Sequence, residues 1–318
     1  VILEMGLHIG KGDGMTGASA IGDKIEDGAR TAPAWIRYLG DGDFVTRRYV
    51  SQGAEINTGE YSDHQMPMRD GMPIRDHFTL DTHGFTIGRH PSAVADFDDA
   101  ANVDALYSAE VAQAVKALSG ASFVAVQGWM RRTTADLSKR AAEKVAGYQH
   151  SGGLQPQAGE AHIDYNQLTG ESAGKRMYAA QRPDGPGYKR HCCFSFWRTY
   201  TPGPQDWPLA MMDGRSIVGD ELANNTLFVV DEFPVGDALT APVEGEDQMI
   251  AATILRQRDQ HRWWYFSNMD RDDVLLFKFY DSDHSVTWRC PHTAFHDTSL
   301  PDTKTRSSIE VRCVAYWE

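Results

Sequence analysis

A histidine and an aspartate two residues apart, His162-Ile163-Asp164, have the spacing in this sequence that most directly suggests chemistry. On an extended backbone, residues two apart project to one face. A neutral imidazole and a carboxylate can then share a metal ion while Ile163 turns away. Two ligands hold a metal loosely, and a second imidazole completes a 2-His-1-carboxylate facial triad. That triad leaves coordination positions open, which suits non-haem iron and oxygen chemistry. Taken alone, the triplet is weak in a chain with 12 histidines, because chance supplies such pairs. Its setting strengthens it: it follows a Gly/Pro/Gln loop at 151–159 and precedes a long β-rich half.

The second imidazole is expected from His292, in Cys290-Pro291-His292-Thr293-Ala294-Phe295, between two strand candidates near the end of the chain. His296 and His284 remain alternatives. The last strand candidate adds Arg306 and Ser308, which share a face. A guanidinium fork with a hydroxyl matches a carboxylate bidentately, as needed to grip the distal carboxylate of a 2-oxoglutarate cosubstrate. Glu310 and Arg312 have the same parity, and Arg312 is the second choice for that carboxylate. The bland alternative pairs Arg312 with Glu310 on an outer face. Arg198 either binds a cosubstrate or substrate carboxylate or, preferably, forms a structural ion pair with Asp206 or Asp213, since a charge near a core must be paired.

These residues need elements to position them. Residues 1–95 are rich in Gly, Asp and turn signals and read as an irregular, partly extended wrap, with short strands at Phe44–Tyr49 and His77–Leu80. Asp98–Leu118 reads as a helix, from Val103, Leu106, Tyr107, Val111, Val115 and Leu118, stopped by Gly120. Ser122–Val126 reads as a strand, and Ala135–Tyr148 and Thr169–Ala180 as helices. Strand signals then follow at Cys192–Tyr200, Leu209–Asp213, Thr226–Asp231, Met249–Arg256, Trp263–Ser267, Val274–Tyr280 and Ser307–Tyr316. Many short strands in succession indicate a barrel or sandwich. No internal repeat or domain boundary is visible, so residues 1–318 are expected to form a single domain.

Composition narrows the function classes. With 41% hydrophobic and 24% charged residues the chain is of globular type. A formal net charge of -13 argues against nucleic acid and anionic membrane partners. No apolar run approaches the roughly 18 residues of a membrane span. The opening VILEMGLHIGKGDG lacks signal-peptide architecture, and its GKGDG piece reads as a flexible turn. Cys192, Cys193, Cys290 and Cys313 read as reduced thiols of a cytoplasmic protein. A zinc site from His191, Cys192 and Cys193 is disfavoured, because adjacent strand residues face opposite ways.

An ordered set of stretches carries a family resemblance from about residue 77 onward. It comprises His77–Phe85, Tyr107–Glu110, Ala161–Tyr165, Phe196–Arg198, Asp206–Ala210, Asp213–Ser216, Trp264–Phe266, Asp273–Lys278, Pro291–Phe295 and Arg306–Arg312. In these the chain resembles the gibberellin-desaturase-like family of non-haem Fe(II)/2-oxoglutarate oxygenases, which includes a cephalosporin 7-hydroxylase component. The resemblance implies a mainly β fold with flanking helices (α+β) around a double-stranded β-helix, a jelly-roll of the cupin-like type. It implies Fe(II) on His162, Asp164 and His292 at one mouth, with Arg306 and Arg312 as anchors of the cosubstrate. The polar segment Asn166–Glu171 departs from the pattern.

The expected activity is therefore that of an iron- and 2-oxoglutarate-dependent dioxygenase using O2 on an unactivated C–H bond of a small specialised metabolite. Hydroxylation, desaturation and oxidative ring closure such as aziridine formation are all open outcomes. The competing readings are an Fe(II) oxidase independent of 2-oxoglutarate, a non-catalytic jelly-roll metal-binding protein and a metal-dependent hydrolase. A small-molecule substrate is the expected partner, and a homo-oligomer is compatible with the sequence. Phe295, Trp264 and Tyr165 are candidates to line the pocket, although core packing is the commoner role for each.

Overall fold

The computed structural model describes residues 24–51, 54–135, 154–298 and 300–318. The expected helix at Ala135–Tyr148, the GKGDG turn and the start of the 151–159 loop lie almost wholly outside these residues. Among the described residues, the strands form a ten-stranded and a six-stranded sheet. A core of aromatic and aliphatic side chains lies between them, with Met211 and Trp264 from the larger sheet and Trp197, Leu275, Phe277 and Phe279 from the smaller. The fold is mainly β with flanking helices, a jelly-roll.

Alternation along the strands decides what faces this interior. In the strand Asp273–Asp281, Leu275, Phe277 and Phe279 point inward, while Val274 and Leu276 point to the helix layer. That layer is the helix Ala100–Ser119, started by the Asp99 side chain accepting from Ala101 and Asn102 N–H groups. It ends at Gly120, whose φ of 73° favours glycine. Val103, Tyr107, Val111, Ala114 and Val115 form its buried stripe. The helix Gln167–Gln181 lies close against the smaller sheet: a Cβ at Gly170 would meet the Tyr280 ring at 2.2 Å and one at Gly174 the His191 ring at 2.2 Å.

The N-terminal region is far more regular than the expected wrap. Thr31–Leu39 and Tyr61–Asp70 pair along their whole length, and Arg47–Ser51 and Ala54–Asn57 form a second pair. The first pair curls back over the larger sheet through bridges from Arg37 to Glu160 and Leu39 to Arg256. Ala34, Ile36, Tyr38, Met66 and Met68 thereby enclose Ile163. The expected strand at His77–Leu80 is instead a junction of helical turns, Met72–His77 and Leu80–His83, because Thr79 accepts from the Thr82 N–H as an N-cap.

Candidate functional site

The two-residue strand His162–Ile163 carries the key triplet and lies between His292–Ala294 and Ala251–Leu255. Its entry is fixed by the Ala161 N–H donating to the Arg37 carbonyl at 2.8 Å. Ile163 is buried in the outer apolar cluster, so His162 and Asp164 face the barrel interior, as the alternation requires. His292 is the direct cross-strand partner of His162, and their ring centroids are 4.4 Å apart. Asp164 Oδ1 lies 3.2 Å from His162 Nε2 and 3.7 Å from His292 Nε2. All three ligand atoms fall within 4.8 Å of one another.

The outer nitrogens set the tautomers. His162 Nδ1–H donates to the Glu160 carbonyl at 2.8 Å and His292 Nδ1–H to the Cys290 carbonyl at 3.4 Å. Both Nε2 atoms therefore turn toward the cluster, the arrangement of metal-binding imidazoles. Burial, reinforced by His162, lowers His292 to about 3, which keeps it neutral. Burial also disfavours the His162 imidazolium, but its hydrogen bond and charge contact with Asp164 outweigh this and raise it. For Asp164, burial opposes ionisation, yet Arg312 and the two histidines hold its carboxyl well below the usual range.

Arg312 Nη2 contacts Asp164 Oδ2 at 2.7 Å and its Nε–H donates to Glu310 Oε1 at 3.0 Å. The Arg312–Glu310 pair thus forms, but on the inner face rather than the outer one. Glu310 also lies 3.6 Å from Arg132 Nε, so one carboxylate is braced between two guanidinium groups. Arg306, His162, His292, Trp197, Phe277 and Glu310 line one narrow cavity. Arg306 is 1% exposed, and its Nε and Nη1 lack hydrogen-bond partners among the described residues, as does the buried Ser308 Oγ. Burial and the neighbouring Arg132 push Arg306 down to about 9, although a guanidinium still stays charged at neutral pH. Its backbone is pinned by Thr134 and Asp206, 2.9 and 3.0 Å from its N–H.

Arg198 is the cosubstrate candidate that the structure removes. Trp197 faces the interior, so Arg198 faces the helix layer. There Nε–H donates to Tyr107 Oη at 2.8 Å and Nη1 to the His90 and Arg271 carbonyls at 3.0 and 3.1 Å. The expected ion pair does not form: these partners are neutral groups, and neither Asp206 nor Asp213 is among them. The alternative ligands also fall away: His296 stacks on Trp207 and His284 on Trp288, and both histidines are exposed. Cys192 faces the helix layer and Cys193 the interior core. Phe295 belongs to the outer apolar cluster and Trp264 to the central core, leaving Tyr165 as the pocket-lining aromatic of the three.

A larger cavity of about 400 Å³ opens on the other side of Asp164 and Arg312. Sequence reasoning missed several of its residues, among them Gln127, Arg176 and Asn225. Gln127 occupies a bulge in Phe123–Thr133, where Gly128 pairs with Arg312 and Val126 with Cys313. It accepts from Tyr165 Oη at 2.8 Å. The polar segment after the ligands is a helix start: Asn166 caps Gln167–Gln181 by accepting from the Thr169 N–H at 2.8 Å.

A second group shares the first one's composition. Glu26, His77 and His83 also bring their ligand atoms within 4.8 Å. Glu26 Oε1 lies 3.0 Å from His77 Nε2, 3.3 Å from His83 Nε2 and 2.6 Å from Arg215 Nη2, and Oε2 lies 3.3 Å from Arg262 Nη1. The Thr79 N–H donates to His83 Nδ1 at 3.1 Å.

A jelly-roll that turns two imidazoles and one carboxylate to its interior defines the 2-His-1-carboxylate class of barrel proteins. The model of the oxidoreductase/YMDC permease-like domain matches residues 36–316. The hydroxylase/desaturase CTB9 of Cercospora beticola is 31% identical over 284 residues, 86% of this chain and 79% of the relative. The Fe(II)/2-oxoglutarate-dependent dioxygenase nvfI of Aspergillus novofumigatus is 29% identical, over 80% of this chain and 84% of its own length. A solved structure of the iron and alpha-ketoglutarate-dependent endoperoxidase NvfI superposes with a TM-score of 0.71 at 24% identity, covering 90% of this chain and 98% of that one. The chain belongs to the oxidoreductase/YMDC permease-like family and, with these relatives, to the Fe(II)/2-oxoglutarate-dependent hydroxylase/desaturase family.

No helix among the described residues is long and apolar enough to cross a membrane.

Proposed function

We propose that the protein is an Fe(II)/2-oxoglutarate-dependent oxygenase of the gibberellin-desaturase-like branch, forming one oxygenase domain that acts on an unactivated C–H bond of a small specialised metabolite. The observation that carries this reading is the buried Arg306, whose Nε and Nη1 have no hydrogen-bond partner among the described residues and which lines the same narrow cavity as His162 and His292. An unpaired buried charge costs several kcal/mol by order of magnitude, so a site that keeps one is built for an anion. A 2-oxoglutarate-independent oxidase has no use for it.

The donor set fits iron. Two donors about 2.1 Å from one ion and at right angles stand about 3 Å apart, close to the 3.2 and 3.7 Å spacings from Asp164 Oδ1. His162, Asp164 and His292 would hold Fe(II), with Nδ1–H bonds fixing both imidazoles. Iron with O2 and 2-oxoglutarate supplies the oxidising power for hydroxylation, desaturation or ring closure. Arg312 occupies Asp164 Oδ2 and leaves Oδ1 for the ion, and Glu310 braces Arg312 from behind. Arg306 and Ser308 bind the distal carboxylate of the cosubstrate, with the Trp197 ring centroid 5.6 Å from the guanidinium carbon. The larger cavity holds the substrate beside Asp164 and excludes bulk water from the reacting bond.

Protein reconstituted with Fe(II) should convert 2-oxoglutarate to succinate, weakly without substrate and faster with it. No succinate at any cosubstrate concentration sinks the activity. Undiminished turnover in His162→Ala sinks the iron assignment.

A further inference from the structure

We propose that Arg176 and Asn225 select the substrate, and that this substrate is a compact, mostly apolar molecule bearing a carboxylate and, separately, a hydroxyl. The inference rests on reading the larger cavity as the substrate site. Leu227, Ile250, Ala252 and Met130 give that cavity apolar walls. Its polar groups separate into those already committed and those left over. Arg312 is held by Asp164 and Glu310, and Arg48 is paired with Glu55. Gln127 accepts from Tyr165, and Thr169 Oγ1 both donates to the Ala251 carbonyl and accepts from its N–H.

Two groups have no such commitment. Thr169, Ala173 and Arg176 follow one another at helical spacing, and the helix turns this face to the cavity. Arg176 has no ion-pair or hydrogen-bond partner among the described residues, whereas the other two guanidinium groups lining the cavity are paired. The cavity's carboxylates, Asp164 and Glu310, are both taken up by Arg312, so its uncompensated charge is positive. In a chain with a net charge of -13, that local excess is what lets an anion approach. Asn225 supplies the second feature. It is 3% exposed, its Nδ2 reaches Asn57 Oδ1 at 3.4 Å, and its Oδ1 has no donor among the described residues. A buried carbonyl without a donor is unfavourable by about 1–3 kcal/mol, and a substrate hydroxyl relieves that.

The test is binding, measured by titration calorimetry on the metal-free full chain, so it is independent of iron and turnover. The probes are 6-hydroxy-2-naphthoic acid, its primary amide, and 2-naphthoic acid lacking the hydroxyl. Wild-type protein should prefer the acid to the amide by about tenfold, as one charge-assisted contact gives. Arg176→Gln should abolish that preference. Wild-type should also prefer the hydroxylated acid by about fivefold, a preference lost in Asn225→Leu. Arg306→Leu should leave all three affinities unchanged, because its cavity is too narrow for a naphthyl group. The proposal is overturned if no probe binds at millimolar concentration or if either preference is missing in wild type. It is also overturned if a preference survives its substitution, or if Arg306→Leu abolishes binding and so places the probe in the cosubstrate cavity. Succinate formation reads the oxygenase assignment separately, so either can fail alone.

Discussion

Glu26, His77 and His83 match Asp164, His162 and His292 in composition and in span, yet the two clusters are built for opposite ends. Around Asp164, both imidazoles spend their Nδ1–H on backbone carbonyls, which turns Nε2 lone pairs inward. Around Glu26, His83 Nδ1 accepts from the Thr79 N–H, so its proton sits on Nε2 and points at the carboxylate. Such a nitrogen has no lone pair for a metal. Arg215 and Arg262 then occupy the rest of Glu26. Asp164 has one guanidinium and lines the larger cavity; Glu26 has two guanidinium groups. A ligand list therefore does not identify a metal site. The partner of each outer nitrogen separates the two candidates, and the Glu26 group reads as a clamp between residues 24–29 and the barrel.

The largest expected difference is in turnover. His162→Ala should reduce succinate formation by more than about a hundredfold, exceeding the loss typical of a removed outer partner. Glu26→Gln, measured at a temperature where it is folded, should stay within about twofold of wild type, since no step involves that cluster. Metal content sharpens the same contrast: anaerobic Fe(II) titration should saturate at one ion per chain, and Asp164→Ala should abolish it. His83→Ala should leave it intact. A second ion lost with His83 breaks the comparison.

The two clusters were not equally legible. His162 and Asp164 follow from the period-two rule and one apolar residue between them. His292 could be chosen only by elimination among the late histidines and by family resemblance, because a cross-strand register joining residues 162 and 292 is non-local. The Glu26 contact is hidden for the same reason, and the His77–Leu80 stretch misleads because only Phe78 and Thr79 are extended between two short helical turns and Leu80 opens the second, capped by Thr79. Arg198 shows a different limit. In Arg190–Thr199 both faces are buried, so alternation cannot say which one is the interior. The N-terminal strand pair does alternate at Ala34, Ile36 and Tyr38, but Pro33 and Pro67 weaken the strand signal there; Pro33 lies on the edge strand, where a proline is permitted.

The arginines extend the comparison. Arg215 is satisfied by Glu26 and Asp213, whereas Arg306 Nε and Nη1 have no hydrogen-bond partner among the described residues. Arg306→Leu should raise the KM for 2-oxoglutarate by about fiftyfold, the value of a charge-assisted fork. The same substitution should stabilise the cosubstrate-free protein by about 1–3 kcal/mol, because it removes an unpaired buried charge. Denaturant unfolding with and without 2-oxoglutarate reads both signs. Destabilisation of the free protein would mean that Arg306 is already satisfied.

The smallest effect concerns acid. Burial raises the Glu26 carboxyl, but hydrogen bonds from His83, His77 and Arg215 outweigh it and hold it well below its ordinary 4.5. A depressed folded value means that the unfolded chain takes up the proton first. Stability from Glu26 is therefore complete above about pH 4.5 and is lost as the pH falls below it, at up to about 1.4 kcal/mol per pH unit. Glu26→Gln should cost about 2 kcal/mol at neutral pH, as charged hydrogen bonds of this kind do. The gap between the variant and wild type should hold constant down to about pH 5 and narrow below it. Urea unfolding from pH 7 to pH 3.5 measures this, and a gap that stays constant throughout would mean that the clamp does not depend on the Glu26 charge.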